Sequence, residues 1–477
     1  MAQKQPNILI LMADQFAPRV LGCMGGPAKT PTIDRLAERG VVFEDTWCNS
    51  PLCTPSRTAM MTGCLPSRTG AYDNAADFPA SWPSFAHYLR AAGYRTALSG
   101  KMHFVGPDQQ HGFEERLTTD IYPAAFGWTP DWGNFAERPE WYHTMDSVTQ
   151  AGRCVRTNQI DFDEEAVFCA RRWLFDVARD ADARPFCLVL SLTHPHDPFT
   201  IPDPWWSRYS DAEVPPPACP ALAEDAHSRR LAHVIGLHQQ QPTSEQIQAA
   251  RRAYLGAVSF VDDQFALVLH TLRAAGLDED CVVIVTSDHG EFLGEHGLWF
   301  KMSFGPEAAR VPLIVAAPQH FAPRRVGAAV SLVDLLPTLR ELAGDTAPLA
   351  TPIDGRSLVG HLCGSGGHDE VWGEYLAEGV VAPMVMLRRQ GRMLVRSPGD
   401  ADIGEASLAP DLARWDLPAL QAAVLASQAR RALVAAANRH GVRTSWDWSP
   451  PRDAGAAYVR EHLPLNDIEA RARFPRV

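Results

Sequence analysis

Cysteine pairs are missing from this 477-residue chain: its ten cysteines are scattered, with no C-x-x-C and no spacing that suits zinc. The expectation is a reduced protein in the cytoplasm. Long apolar runs are missing too. Nothing approaches the roughly 18 uninterrupted residues of a membrane span, so none is expected. The opening MAQKQPNILILMADQ has one short apolar run, cut by Asp14, and lacks the charged leader and cleavage site of a signal peptide. Basic residues are in deficit, 44 Lys and Arg against 56 Asp and Glu, for a net charge of −12. That balance argues against nucleic acid or an anionic membrane as the main partner. An anion must then be held by a local positive site. No internal repeat is visible.

What is present is a globular composition, 46% hydrophobic and 21% charged, long enough for a sizeable core. The run NILILMA (7–13) is continuously apolar and ends in a polar group, as a strand buried on both faces does. Residues 95–100, 185–194, 281–290 and 311–317 repeat the theme. Helical patterns fill 78–92, 164–179 and 245–275, the last opened by a Thr243/Gln246 capping box. The fold class is α/β, with helices on both faces of a sheet. The Pro-rich segment 198–242, with few apolar anchors, reads as a long surface excursion.

Open α/β sheets bind ligands beyond the carboxyl ends of their strands. Here those ends carry Asp14-Gln15, Lys101-Met102-His103, His194-Pro195-His196-Asp197 and Asp288-His289. Two aspartates with a neutral ligand suit a hard divalent ion better than zinc, and the surrounding cations suit a tetrahedral oxyanion. The stretch SPLCTPSRTAMMTG (50–63) adds Cys53 and Arg57. Thr54 as N-cap and Pro55 as first helical residue would put Cys53 beside a helix N-terminus, where anions are favoured.

The motif CTPSR resembles the C-x-P-S-R signature of sulfatases, in which the cysteine is oxidised to formylglycine. The ordered segments ADQ, GKMH, THPHDP and TSDHGEFLGEHGLWFKMSF resemble the sulfatase and phosphonate monoester hydrolase branch of the alkaline phosphatase superfamily. Segments such as SGKMHFVGPDQ, GRCVRTNQIDFD and the terminal WDWSPPRDAGAAYVREHLPLNDIEARARFP are most similar to choline sulfatases. Similarity runs nearly end to end, weakest at 200–242 and 400–440. The longer Cys-to-Arg spacing of cysteine phosphatases is not met.

The resemblance implies a large mixed sheet sandwiched by helices (1–365), a smaller C-terminal α+β subdomain (366–441) and an extended tail (442–477). It implies one divalent ion, Ca²⁺ before Mn²⁺ or Mg²⁺, held by Asp14, Cys53, Asp288 and His289, with Cys53 present as formylglycine. Hydrated, that aldehyde offers one oxygen to attack sulfur and a second whose proton, once removed, lets sulfate leave. Arg57 and Lys101 would hold the nucleophile and sulfate oxygens, and His103 would be the base. His196 and Lys301 would bind sulfate, one of them protonating the leaving oxygen, with His194 as the rival to His196. Asn74 is a polar contact or a turn residue.

For a quaternary ammonium, which cannot donate ordinary hydrogen bonds, aromatic faces and carboxylates are needed. The aromatic-rich 126–143 stretch supplies Trp128 and His143, and Glu378 is the acidic contact, with Glu374 its alternative. In the tail, Asn466-Asp467 stands where choline sulfatases usually have two aspartates. The activity implied is hydrolysis of a sulfate ester, choline-O-sulfate foremost. The rivals are a phosphonate monoester or phosphodiester hydrolase and a non-catalytic anion-binding relative. The implied partners are a small sulfate ester, a formylglycine-generating enzyme and further copies of the chain, as a dimer or tetramer built through the tail.

Overall fold

This computed structural model describes residues 5–122, 124 and 143–439, with side chains to 433. The strands are β1 (Asn7–Ala13), β2 (Val41–Trp47), β3 (Arg95–Gly100), β4 (Glu115–Arg116), β5 (Gly152–Arg153), β6 (Phe186–Leu192), β7 (Thr200–Ile201), β8 (Cys281–Ser287), β9 (Leu313–Ala316) and β10 (Arg324–Ser331), then β11 (Glu370–Tyr375), β12 (Met384–Arg389), β13 (Arg392–Arg396) and β14 (Ile403–Gly404). An eight-stranded sheet has the order β10-β2-β9-β8-β1-β6-β3-β4. β1 lies between β6 and β8, parallel to both. Every residue of β6 and β8 is buried, which explains why these strands read as unbroken apolar runs. The run 311–317 departs from its neighbours: β9 is antiparallel to β2 and β8, making the sheet mixed.

Register fixes where the polar residues emerge. Ala13 pairs with Leu192 and with Ser287, and Gly100 with Ser191. Asp14, Asp288 and Lys101 therefore leave the sheet at one edge, beyond the carboxyl ends of adjacent parallel strands. A second sheet, antiparallel in the order β11-β12-β13-β14, follows the first.

Three local readings need correction. The helix sought at 78–92 spans only Phe85–Ala91, because Ser84 and His87 form a capping box just after Pro83. The helix at 164–179 begins earlier, at Asn158, where the Thr157 side chain accepts from the Ile160 N–H. The segment 198–242 is better anchored than expected. It contributes β7, paired with β5, and a helix Ala226–Val234 that buries His227, Leu231 and Val234. The long helix Ser244–Ala274 starts with the Thr243/Gln246 capping box as expected, and it packs against Asn158–Arg179. Among the described residues, no helix is long and apolar enough to cross a membrane.

Candidate active site

The helix Cys53–Thr62 follows β2 and is buried along its whole length. It begins two residues earlier than the sequence suggested: Leu52 rather than Thr54 is the cap position, and Cys53 rather than Pro55 is the first helical residue. Thr54 is not the cap. Its backbone N–H is satisfied from outside the helix by the Asn74 side-chain oxygen at 3.0 Å.

Cys53 faces the edge where β1 and β8 end. Ligand atoms of Asp14, Cys53, Asp288 and His289 all lie within 4.8 Å of one another, and all four residues are buried. His289 Nδ1 lies 3.1 Å from the Gly290 carbonyl, which can only accept, so this nitrogen carries the proton and Nε2 presents its lone pair. That lone pair lies 3.8 Å from Asp14 Oδ1 and 3.7 Å from Asp288 Oδ2. Electron-pair donors converging in a buried place, two of them carboxylates, fit a hard divalent cation.

Arg57, one turn along the helix, bridges the two carboxylates: Nη2 is 2.9 Å from Asp14 Oδ2 and Nε is 2.8 Å from Asp288 Oδ2. Its Nη1 donates to the Lys101 carbonyl at 2.7 Å and to Ser191 Oγ at 3.0 Å. Lys101 Nζ sits 2.5 Å from Asp14 Oδ2 and 3.8 Å from the Cys53 sulfur. Burial alone would raise Asp14, but Lys101, with Arg57 among the other positive neighbours, holds its carboxyl well below the usual range. Burial, then the Asp14 charge, pushes the Cys53 thiol up to about 11.

Gly100 brings Lys101 into place. Its φ of +98° is left-handed, and a Cβ there would meet the Ser191 carbonyl oxygen at 2.0 Å, so only glycine fits. His103 follows with a positive φ of 58°, its N–H donating to Asp120 at 2.7 Å and its ring stacked on Tyr122 at 4.4 Å. Burial, with Lys101 and Arg57 next, holds the His103 imidazole well below its ordinary value.

A second cluster adjoins the first. Lys301 Nζ donates to Gln15 Oε1 at 2.6 Å and lies 2.7 Å from His196 Nε2. His196 Nδ1 lies 2.7 Å from the Asp197 carbonyl oxygen and 3.2 Å from its carboxylate. His143 joins this group, 3.3 Å from Asp197 and stacked on Phe300 at 4.8 Å. His194 points away, its Nδ1 2.7 Å from Asp163 Oδ2, so the geometry brings His196 rather than His194 to Lys301.

Glu378 is fully buried. Its carboxylate accepts from Tyr375 at 3.2 Å, and burial, then Glu378, then Asp73 push that phenol well above its ordinary value. Glu374 is committed elsewhere, to Ser67 and to Trp415 Nε1 at 2.6 Å. Trp128, Asn466 and Asp467 lie outside the described residues.

Sequence reasoning passed over Ser191, Asp120, Tyr122 and Glu291. Only Glu291 carried a signal, standing two residues after His289 on the Asp288-His289 strand end. It is wholly buried, and burial raises its carboxyl to about 8 against the opposing N–H groups of Leu293 and Phe300.

Comparison with known proteins agrees with this geometry. Residues 6–345 match the family described as Sulfatase, and residues 422–474 match one described as Choline sulfatase enzyme C terminal. The chain is 41% identical to the choline-sulfatase of Rhizobium meliloti (strain 1021), with 100% of both chains covered. An uncharacterized sulfatase of Escherichia coli (strain K12) is 32% identical over 73% of this chain and 70% of its own. The fold is shared with a phosphonate monoester hydrolase from Silicibacter pomeroyi: TM-score 0.67, 24% identity, 90% of this chain and 96% of that one. Family membership implies a metal ion and a formylglycine, and the donor set at Asp14, Cys53, Asp288 and His289 has the chemistry to hold the ion. A family match over most of the chain and full-length kinship to a sulfate-ester hydrolase lead to one conclusion: the chain belongs to the sulfatase family and is a sulfuric ester hydrolase.

Proposed function

We propose that this enzyme hydrolyses choline-O-sulfate to choline and sulfate. The observation that carries the reading is similarity to the Rhizobium meliloti choline-sulfatase along the entire chain, reinforced by the separate C-terminal match at 422–474. The match to the Sulfatase family by itself covers only residues 6–345.

Position 53, converted by a formylglycine-generating enzyme, would supply the attacking hydroxyl, and a divalent ion held with Asp14, Asp288 and His289 would ease its ionisation. Ca²⁺ suits an oxygen-rich set best, with Mn²⁺ or Mg²⁺ as the next candidates. Arg57 and Lys101 put positive charge where negative charge develops during attack. His103, neutral and buried, serves as the base for sulfate release. Choline leaves as an alkoxide, a poor leaving group, so an acid at the leaving oxygen matters. Lys301 is that acid, because the lone pair of His196 Nε2 faces it and cannot deliver a proton. Asn74 holds the first turn of the nucleophile's helix through Thr54.

Trp128, His143 and Glu378 would surround the quaternary ammonium, with Asn466 and Asp467 arriving on the tail of a neighbouring subunit. Residues 1–365 form the catalytic domain, 366–441 a smaller subdomain and 442–477 the arm that builds a dimer or tetramer, in the cytoplasm. The test is a peptide mass across residues 53–57 of protein from the native host, paired with a choline-O-sulfate assay. Formylglycine at position 53 with turnover of choline-O-sulfate supports the reading. An intact thiol in fully active enzyme, or turnover of phosphonate monoesters without choline-O-sulfate, sinks it.

A further inference from the structure

We propose that Glu291 is a positioning residue: it fixes the orientation of the Gln15 side-chain amide, and through that amide the placement of the Lys301 ammonium. The inference rests on Lys301 acting at the leaving oxygen. It starts from the hydrogen bonds of a carboxylate that the chemistry itself does not use. Glu291 Oε1 accepts from the backbone N–H of Leu293 at 2.8 Å and of Phe300 at 2.7 Å, and Oε2 accepts from Gln15 Nε2 at 2.5 Å. Arg19, the nearby cation, donates to the backbone carbonyl of Glu291 instead. Three N–H donors thus converge on the carboxylate, which matches the acceptor capacity of its ionised form.

An amide side chain has one donor end and one acceptor end of nearly equal shape, so its neighbours decide which way it points. The donor end of Gln15 meets two carboxylates, Glu291 at 2.5 Å and Asp197 Oδ1 at 3.4 Å. Its acceptor end meets Lys301 Nζ at 2.6 Å. A flipped amide would aim N–H groups at an ammonium and a carbonyl at two carboxylates. The Gln15 backbone is already pinned: its N–H donates to Asp288 Oδ1 at 3.1 Å and its carbonyl accepts from Tyr254 at 2.6 Å. The remaining freedom is the side chain, and Glu291 removes it.

Lys301 then donates one N–H to Gln15 and one to His196, leaving the third of its three for the bound sulfate ester. Glu291 reaches Lys301 by a second route as well, because Phe300, whose N–H it accepts, is the residue just before it. The Gln15 amide is thus a neutral relay between a buried carboxylate and the acid.

The test uses the metal-loaded enzyme and a series of substituted phenyl sulfates of graded leaving-group acidity. Because the series contains no choline, it stands apart from the substrate assignment. Glu291→Gln presents an N–H to Gln15 Nε2, so Gln15 turns over and Lys301 loses an acceptor. The expected result is a steeper leaving-group dependence, with kcat falling about 100-fold for the poorest leaving groups and much less for 4-nitrophenyl sulfate. Affinity for inorganic sulfate, measured by calorimetry, should fall in parallel at unchanged metal content. The double variant Gln15→Glu with Glu291→Gln restores donor-to-acceptor pairing from position 291 to Lys301, at the cost of a carboxylate facing Asp197, and should recover part of both losses. Where Glu291→Gln fails to fold, Gln15→Met with Glu291 intact must steepen the series in the same way. A uniform loss across all leaving groups with sulfate affinity intact, or a double variant no better than the single one, overturns the proposal. Lys301→Ala runs in parallel: a series that it does not steepen removes the acid role and the proposal with it, whereas steepening by Lys301→Ala alone condemns only Glu291.

Discussion

Lys301 Nζ and His196 Nε2 lie 2.7 Å apart, and the far side of the His196 ring settles which of them holds the proton. His196 Nδ1 faces the Asp197 carbonyl and carboxylate oxygens, both acceptors, so Nδ1 carries the hydrogen and Nε2 accepts from the ammonium. Burial, with Lys301 next, holds the imidazole well below its ordinary value, so it stays neutral. Nitrogen NMR of His196 in the resting enzyme should therefore show a single neutral tautomer, protonated at Nδ1, from pH 6 through 8. An imidazolium signal in that range would mean that the proton sits on His196.

His103 gives a prediction with a definite sign. As the proposed base it works only when deprotonated, and burial, then Lys101 and Arg57, depress its pKa below the ordinary 6.5. Its neutral form is thus kept as pH falls through 6.5, and the acid limb of the kcat profile should lie below that value. A limb at or above 6.5 would assign the base to another group.

Much of this site was legible because the strand ends are chemically conspicuous. Asp14, Lys101, His196 and Asp288 follow apolar runs whose burial forces their polar successors to a common edge, and Arg57 sits one helical turn from Cys53. What the sequence withheld depends on direction rather than residue type. Nothing in CTPSR says that Leu52 holds the cap position, because the N–H of Thr54 is satisfied by Asn74, twenty residues away. Ser191 lies on a strand whose every residue is buried, so its hydrogen bond from Arg57 leaves no mark in the apolar pattern. The antiparallel course of β9 was equally hidden, since a short buried strand reads the same in either direction.

Asp288 divides its oxygens between tasks, and one variant can test that. Oδ2 takes Arg57, while Oδ1 accepts the backbone N–H of Gln15 at 3.1 Å and of His289 at 3.0 Å. Asn at this position can serve only one of those two sets and brings no negative charge to the cation. Asp288→Asn should weaken metal affinity by about 100-fold or more, since even outer partners of metal ligands are worth about 10- to 100-fold. Metal analysis after dialysis, together with kcat, checks it; retention of both would contradict the ligand assignment.

The tail beyond residue 441 carries Trp446, Trp448, Tyr458 and Phe474, side chains that are costly to leave in water. If it is an arm shared between subunits, truncation after Gly441 should give smaller assemblies in light scattering. KM for choline-O-sulfate should also rise more than KM for a small aryl sulfate. A truncated protein with unchanged mass in solution and unchanged preference would reduce the arm to packing.

Among the described residues, an ion pair joins the C-terminal segment to the catalytic region. Arg431, on the helix Leu417–Arg439 and within the matched segment 422–474, grips Asp73 with Nε and Nη2, each at 2.7 Å. Asp73 is fully buried and Arg431 is 6% exposed, so neither charge is compensated by water. Such a pair is worth little as a sum, because desolvation offsets attraction, yet removing one partner strands the other and costs about 3–5 kcal/mol. Asp73 also accepts the Ala75 N–H at 3.0 Å, within the turn that aims Asn74 at the first turn of the helix that begins at Cys53. Arg431→Met should therefore lower the thermal midpoint clearly and, through Asp73 and Asn74, reduce kcat. The paired variant Asp73→Asn with Arg431→Met leaves no stranded charge and should regain most of the midpoint. Equal midpoints for the single and paired variants would show that the helix is held by its apolar contacts and that the ion pair contributes nothing to the docking.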